Sequence, residues 1–182
     1  MKYKGNPSLT TVVLHHTAVS RRNQPLQLDP VNNHHRDKWN GQSELGYYVG
    51  YNFFCEPTGK RTQCRKIGEE TIAQIGNNCA NPPHDCKMVS YCMAGDFRVE
   101  KPTSHQIADF KAFVAELREI YPRVVIKQHK DVAANRTCAE LDPVEIASWF
   151  KKDSKDEEIA KLKQQVQQLI GLVTVLLKLI NK

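Results

Sequence analysis

Two histidines and a cysteine stand where a metal site could form. The segment TTVVLHH, residues 10–16, is a β-branched run that ends in His15 and His16, and RVVIKQH, residues 123–129, repeats that pattern. Cys138 follows in the next loop. A thiolate and two imidazoles can form a three-ligand zinc set that leaves a fourth position for water. A histidine at a strand end is also often a hydrogen-bonded structural residue, so the spacing alone leaves both interpretations open.

The segments that carry these residues alternate between strand and helix patterns. Apolar β-branched runs predict strands at 10–16, 47–68, 88–97 and 123–129, the second of them a hairpin. Helical spacing predicts helices in the second half of 25–39, over 103–122 and near 143–150. The predicted fold is therefore α/β, with a central mixed β-sheet flanked by helices. Because sites in open α/β sheets lie outside the carboxyl ends of strands, His15 and His129 can converge on one cleft.

The helix predicted over 103–122 has clear boundary signals. Thr103 and Ser104 are candidates for its N-cap, and a proline follows its end. An apolar stripe runs along one side of this helix at Ile107, Phe110, Val114 and Leu117.

Composition limits the class of protein and the kind of partner. The chain has 182 residues and a net charge of +6, with a pI near 9.0, which fits one globular domain with an appendage and favours an anionic partner. Lys and Arg show no patterned interleaving with aromatic residues, so we expect no nucleic-acid partner. We also expect no transmembrane segment and no signal peptide, and hence a protein made in the cytoplasm.

The C-terminal part has a different pattern. A charged linker is predicted at 151–156, between a domain at 1–150 and a helix at 157–182. That helix carries a heptad seam at Ile159, Leu162, Val166, Leu169, Val173, Leu176 and Ile180. The choice of Ile or Val at a and Leu at d favours a parallel dimer, while further apolar residues beside the seam favour more than two helices or a membrane-surface helix. We expect a homo-oligomer through residues 157–182; the alternative is an amphipathic helix packed on the parent domain.

Four of the six cysteines flank short loops. Cys55 and Cys64 flank the predicted hairpin turn, and Cys79 and Cys86 flank a proline-rich loop. Each pair could form a local disulfide, or all four could be free thiols in a reducing compartment.

Four motifs together resemble one enzyme family. VVLHHTA, GYNFF, VSYCMAGDF and QHKDVAANRTC occur in the order and at the spacing of the type 2 N-acetylmuramoyl-L-alanine amidases, over roughly residues 8–150. That family includes amidase-type phage lysozymes and animal peptidoglycan recognition proteins. The resemblance implies a zinc amidase fold with a groove for peptidoglycan.

The resemblance also implies roles for individual residues. His15, His129 and Cys138 would bind zinc, and Tyr51 would line the site as a catalytic residue. Arg136 stands where the phage enzymes tend to carry a lysine; it could stabilise charge but is a poor proton shuttle. Because side chains alternate along a strand, His16 is expected to point to the opposite face from His15 and to be structural.

The implied activity is hydrolysis of the amide between N-acetylmuramic acid and L-alanine, by a phage endolysin or a bacterial autolysin that reaches the cell wall after release. The alternative is a non-catalytic peptidoglycan-binding module that oligomerises through its C-terminal helix. His35, Trp39 and Arg65 are candidate substrate contacts. The sequence departs from the family at Asn52, where a histidine is usual, and after Cys138, where Pro-Gly is usual, which puts substrate contacts in doubt.

Overall fold

The computed structural model describes residues 9–68, 87–133, 136–151, 162, 164–171 and 173–174. The chain divides into two compact units, Met1–Glu145 and Ile146–Lys182. The first unit contains the sheet and all of the predicted site residues.

A five-stranded mixed sheet forms the centre of the first unit. In chain order its strands are β1 (Thr11–His16), β2 (Phe53–Cys55), β3 (Arg61–Gln63), β4 (Met88–Met93) and β5 (Val125–Gln128). The spatial order is β3-β2-β4-β1-β5, and only the β2–β3 pair is antiparallel. The helices are α1 (Leu28–Trp39), α2 (Ser104–Ile120), α3 (His129–Val132) and α4 (Pro143–Trp149). This confirms the predicted α/β class.

Strand β1 lies between two parallel neighbours, β4 and β5. All six of its residues are buried, and Val12, Val13 and Leu14 have no exposed surface. A central parallel strand covered on both faces is expected to be a continuous apolar run, which explains the composition of TTVVLHH. The run ends at the carboxyl edge of the sheet, so polar side chains can follow it there.

Helix α2 begins with a reciprocal capping box, which confirms Thr103 as its N-cap. The Thr103 hydroxyl accepts the Gln106 N–H at 3.1 Å, and the Gln106 side chain accepts the Thr103 N–H at 3.0 Å. The predicted apolar stripe needs two corrections: Gln106 is fully buried where Ile107 is only partly buried, and Phe113 is a further buried residue that the stripe left out. The Gln106 amide can be buried because it donates to the carbonyls of Ala94, at 2.8 Å, and Cys55, at 3.3 Å.

Two predicted strands end earlier than the sequence suggested. The strand predicted over 88–97 ends at Met93, and the strand predicted over 123–129 ends at Gln128. His129 therefore opens α3 instead of closing β5. The cause is a capping box in which the Asp131 carboxylate accepts the Gln128 N–H at 2.8 Å, so that the chain turns into a helix at this point.

Of the two alternatives left open for Cys55 and Cys64, a local disulfide or free thiols, the structure shows free thiols, and both residues are buried. Burial raises the pKa of each thiol to about 12, as expected for cysteines that act as small apolar core residues. The second predicted pair, Cys79 and Cys86, lies outside the described residues.

In the second unit, residues 162, 164–171 and 173–174 are helical and exposed. Apolar seam residues of this helix are 53–60% exposed: Leu162, Val166, Leu169 and Val173. The boundaries at 150 and 156 and the pairing of the heptad helix stay predictions. Within the part of the chain that the structure describes, no helix is long and apolar enough to cross a membrane.

Candidate metal centre

His15, His129 and Cys138 come together at the carboxyl edge of the sheet. Their potential ligand atoms all lie within 4.8 Å of one another. The His15 and His129 rings are 4.5 Å apart between centroids, and the Cys138 Sγ lies 3.9 Å from His15 Nδ1. Tetrahedral zinc places sulfur and nitrogen ligands about 3.5 Å apart, so small movements would complete a three-ligand set.

The backbone of His16 holds Cys138 in place. The His16 N–H donates to the Cys138 Sγ at 3.2 Å, and the Cys138 carbonyl accepts the Lys130 N–H at 2.7 Å. The cysteine loop is thus fixed to both elements that carry the histidines, β1 and α3. The first of these bonds orients the sulfur and the second fixes the main chain of the cysteine, so that this candidate ligand is held in position by the protein itself.

The His16 side chain points away from this group, as the alternation along β1 predicts. Its Nδ1 accepts the Phe97 N–H at 2.9 Å and lies 3.9 Å from an Asp96 oxygen. The ring also packs on Phe97, 5.5 Å between centroids. His16 therefore anchors the turn after β4 through its side chain, while its main chain supports the metal centre.

Burial sets the protonation of the three candidate ligands. It lowers the pKa of His15 well below the usual value, with His129 and His16 as further causes. It lowers the pKa of His129 to about 4, with the positive charge of Arg136 as a second cause. It raises the pKa of Cys138 to about 12. At neutral pH, both imidazoles are therefore neutral and ready to bind a cation, whereas the thiol must first lose its proton.

An unsatisfied nitrogen tests whether a metal fits this group. His15 Nε2 is buried, and no described residue gives it a hydrogen bond. A buried polar atom without a hydrogen-bond partner lowers the stability of a fold by roughly 1–3 kcal/mol. A histidine with only a structural role in the core would therefore be expected to have such a partner. The orphaned Nε2 shows that hydrogen bonds do not hold His15 as a structural core residue, and the soft thiol with two neutral imidazoles, His15 Nδ1 lying 3.9 Å from the sulfur, is a donor set that fits zinc.

Tyr51 and Arg136 lie at the same site. The Tyr51 ring is 4.9 Å from that of His15, between centroids. Burial raises the pKa of Tyr51 well above its usual value, so its hydroxyl stays protonated. Arg136 is exposed, yet its charge is close enough to lower the pKa values of His129 and Cys138. The site therefore has a neutral hydrogen-bond donor and a permanent positive charge next to the three candidate ligands.

A cavity of about 370 Å³ opens beside Tyr51. The cavity is lined by the connection between β1 and α1, by α1 itself and by Tyr51. The lining residues are Thr17, Val19, Gln24, Pro30, Val31, His34, His35 and Tyr51. Thr17 and Gln24 were not predicted from the sequence. Thr17 directly follows the histidine pair, which is a usable signal, whereas nothing in the sequence marked Gln24.

The three candidate substrate residues have different positions. His35 lines the cavity. Trp39 is 41% exposed and packs against the His35 ring, with 4.4 Å between the ring centroids. Arg65 is buried, and its guanidinium donates to the carbonyls of Val49, at 2.7 Å, and Gly41. The position of Arg65 is that of a structural residue, while His35 and Trp39 lie where a ligand could reach them. Substrate contact by any of the three stays a prediction.

Comparisons with known proteins test the family and the fold of this chain. The family model described as N-acetylmuramoyl-L-alanine amidase matches residues 4–143. No curated protein sequence gives a significant match.

Three solved structures show how far the fold is shared. The amidase LysC from Clostridium intestinale URNW is 22% identical with a TM-score of 0.53, covering 76% of this chain and 81% of that one. The endolysin of Thermus scotoductus MAT2119 bacteriophage Ph2119 is 18% identical with a TM-score of 0.61, covering 82% and 89%. Human PGRP-IBETAC, solved with glycosamyl muramyl pentapeptide, is 14% identical with a TM-score of 0.53, covering 70% and 75%.

Proposed function

Because the chain belongs to the N-acetylmuramoyl-L-alanine amidase family, we propose that it is a zinc-dependent hydrolase of the amide bond between N-acetylmuramic acid and L-alanine in peptidoglycan. The observation that carries this proposal is the group of His15, His129 and Cys138 beside Tyr51 and an open cavity. We propose that the enzyme acts on the cell wall after release, because its substrate is a wall polymer.

The residues of the site have different roles in the hydrolysis of the amide. Zinc held by His15, His129 and Cys138 would supply a Lewis acid and a more acidic water. The Tyr51 hydroxyl, kept protonated by burial, donates a hydrogen bond to the oxygen on which negative charge develops. Arg136 contributes a positive charge at the exposed side of the site, where it can hold an anionic part of the substrate.

The number of protons released on zinc binding is a first prediction. His129 has a pKa of about 4, and burial holds the pKa of His15 well below its usual value, so neither has a proton to lose at about pH 6; Cys138, with a pKa of about 12, has one. We expect release of one proton per zinc, and an apparent affinity that rises about tenfold per pH unit near pH 6. Calorimetry in buffers of different ionisation enthalpy measures this number. Release of two or three protons would mean that the histidines are charged before binding.

The direct test of the activity uses the full chain and insoluble peptidoglycan. We expect new L-alanine amino termini together with intact muramic acid, identified by mass spectrometry, and their loss after chelation and return with zinc. A zinc-loaded, folded protein that binds peptidoglycan and releases no such termini would overturn the enzymatic proposal.

The second candidate is a non-catalytic peptidoglycan-binding module. The observation in its favour is the shared fold with human PGRP-IBETAC, which was solved with a muramyl pentapeptide. Against it, this chain brings together all three candidate metal ligands, and a binder has no need of them. The cleavage assay decides between the two candidates.

We further propose that the chain forms a homo-oligomer through its heptad helix, which would strengthen weak contacts with the wall through avidity. The exposed seam residues support this proposal. Leu169→Lys places a charge in the seam, whereas Gln168→Lys places it at the neighbouring exposed position. We expect a mass above the 20.8 kDa of one chain for the wild type and for Gln168→Lys, and a shift towards monomer for Leu169→Lys, by light scattering. A monomeric wild type would contradict the proposal.

A further inference from the structure

Helix α1 binds the segment that leads into Tyr51 through two side chains. Asn32 Oδ1 accepts the N–H groups of Tyr48, at 2.7 Å, and Val49, at 3.2 Å. His35 Nδ1 accepts the N–H of Gly50 at 2.8 Å. Three consecutive amides immediately before Tyr51 are thus held by one helix.

This segment needs such partners because it is not part of the sheet. Strand β2 begins only at Phe53, and Val49 and Gly50 are already buried. A buried backbone amide without a partner is costly, so the segment is stable only where side chains replace a neighbouring strand. Asn32 and His35 are three residues apart, which places them on the same face of α1 and lets them act together.

The hydrogen bond also determines the tautomer of His35. Since Nδ1 accepts the Gly50 N–H, the proton of the neutral ring must be on Nε2. Burial lowers the pKa of His35 to about 4, with smaller effects from His34, Arg65 and Lys38, so the neutral ring persists at neutral pH. The same ring packs beside Tyr51, with 5.7 Å between centroids. His35 therefore touches Tyr51 directly and also fixes the residue before it.

We propose that Asn32 and His35 are positioning residues for the amidase reaction, and that they set the place of the Tyr51 hydroxyl relative to the metal centre. This inference rests on the proposed function. The role proposed for His35 Nδ1, positioning of the segment before Tyr51, differs from the substrate contact that the sequence predicted for this residue. The effect of these two residues on turnover is passed through Tyr51, so it cannot exceed the effect of removing the Tyr51 hydroxyl.

The test uses variants that remove or keep the acceptor in the full, zinc-loaded chain. His35→Leu and Asn32→Leu remove it, while His35→Asn keeps an oxygen near the position of Nδ1, and Asn33→Leu is the matched control on the exposed side. We expect kcat to fall about tenfold in His35→Leu and Asn32→Leu with KM little changed, because the donor is misplaced and substrate binding is not. His35→Asn and Asn33→Leu should retain kcat within about threefold.

Coupling to Tyr51 separates positioning from general structural support. In a Tyr51→Phe background, His35→Leu should have no further effect on kcat, because the group that it positions is gone. An undiminished loss of kcat in that background, or an effect confined to KM, would overturn the proposal and leave His35 as a substrate contact or a packing residue.

Amide hydrogen exchange tests the contact without an activity assay. In His35→Leu the Gly50 amide should exchange faster, and in Asn32→Leu the Tyr48 and Val49 amides should do so, while zinc affinity stays that of the wild type. Unchanged exchange would show that the contacts do not hold the segment. If the wild type cleaves no peptidoglycan although these amides respond as expected, the proposed function fails and the contact between α1 and the segment stands.

Discussion

His15→Asn is expected to lower amidase activity by at least about 10³-fold and to abolish tight zinc binding, whereas His16→Asn should keep both within about threefold. The two residues are neighbours of the same type, and both are buried. His15 faces His129 and Cys138, while the His16 ring accepts the Phe97 N–H on the other side of β1. The asparagine oxygen at position 16 can accept the same N–H, so the fold is preserved there.

The measurement for this pair combines bound zinc per chain, thermal stability and the rate of L-alanine release. Cys138→Ser should behave like His15→Asn, and Cys64→Ala serves as a control because Cys64 is a buried thiol of a core cluster that does not belong to the group of candidate ligands. A His15→Asn protein that is folded and still binds zinc with full activity would contradict the assignment of the ligand set. Equal losses in His15→Asn and His16→Asn would indicate that the effect comes from the fold.

The histidine pair shows how far the sequence alone could lead. Period-two alternation on a buried strand was enough to separate the two side chains, because β1 is central and has no freedom of register. The role of the His16 main chain was not visible, since its partner, Cys138, is brought to it only by the α3 turn. That turn depends on the capping contact of Asp131, a local signal that the strand pattern of RVVIKQH concealed.

Other differences have the same physical origin. Gln106 is a polar residue outside the predicted apolar stripe, yet it is buried because the carbonyls of Cys55 and Ala94 accept hydrogen bonds from its side-chain amide. Nothing in the sequence marked Asn32, because the two backbone N–H groups that donate to its side chain belong to residues 16 and 17 positions further along the chain. Hydrophobic patterns predict where the strands and helices lie and which face of a strand is buried. Polar contacts between elements depend on distances between residues that are far apart in the sequence, and these distances are known only from the folded structure.

The second large effect concerns the hydrogen-bond donor. Tyr51→Phe is expected to lower kcat about 10²–10³-fold with KM little changed, because the hydroxyl acts on charge that develops only in the transition state. Since burial raises the pKa of Tyr51 well above its usual value, the hydroxyl stays protonated, and the loss should be the same at about pH 7 and pH 9. Tyr48→Phe, the same change in the same segment, is the control and should leave kcat within about twofold.

Steady-state kinetics on a soluble muramoyl peptide, with zinc content measured for each variant, decides this prediction. Full zinc occupancy with a reduced kcat would separate the donor from the metal ligands, although His15 and Tyr51 have ring centroids only 4.9 Å apart. A Tyr51→Phe enzyme with undiminished kcat would transfer the stabilising role to Arg136, whose charge also reaches this site. In that case Arg136→Leu should cause the loss expected here for Tyr51, and the α1 contacts with the segment before Tyr51 would support the fold alone.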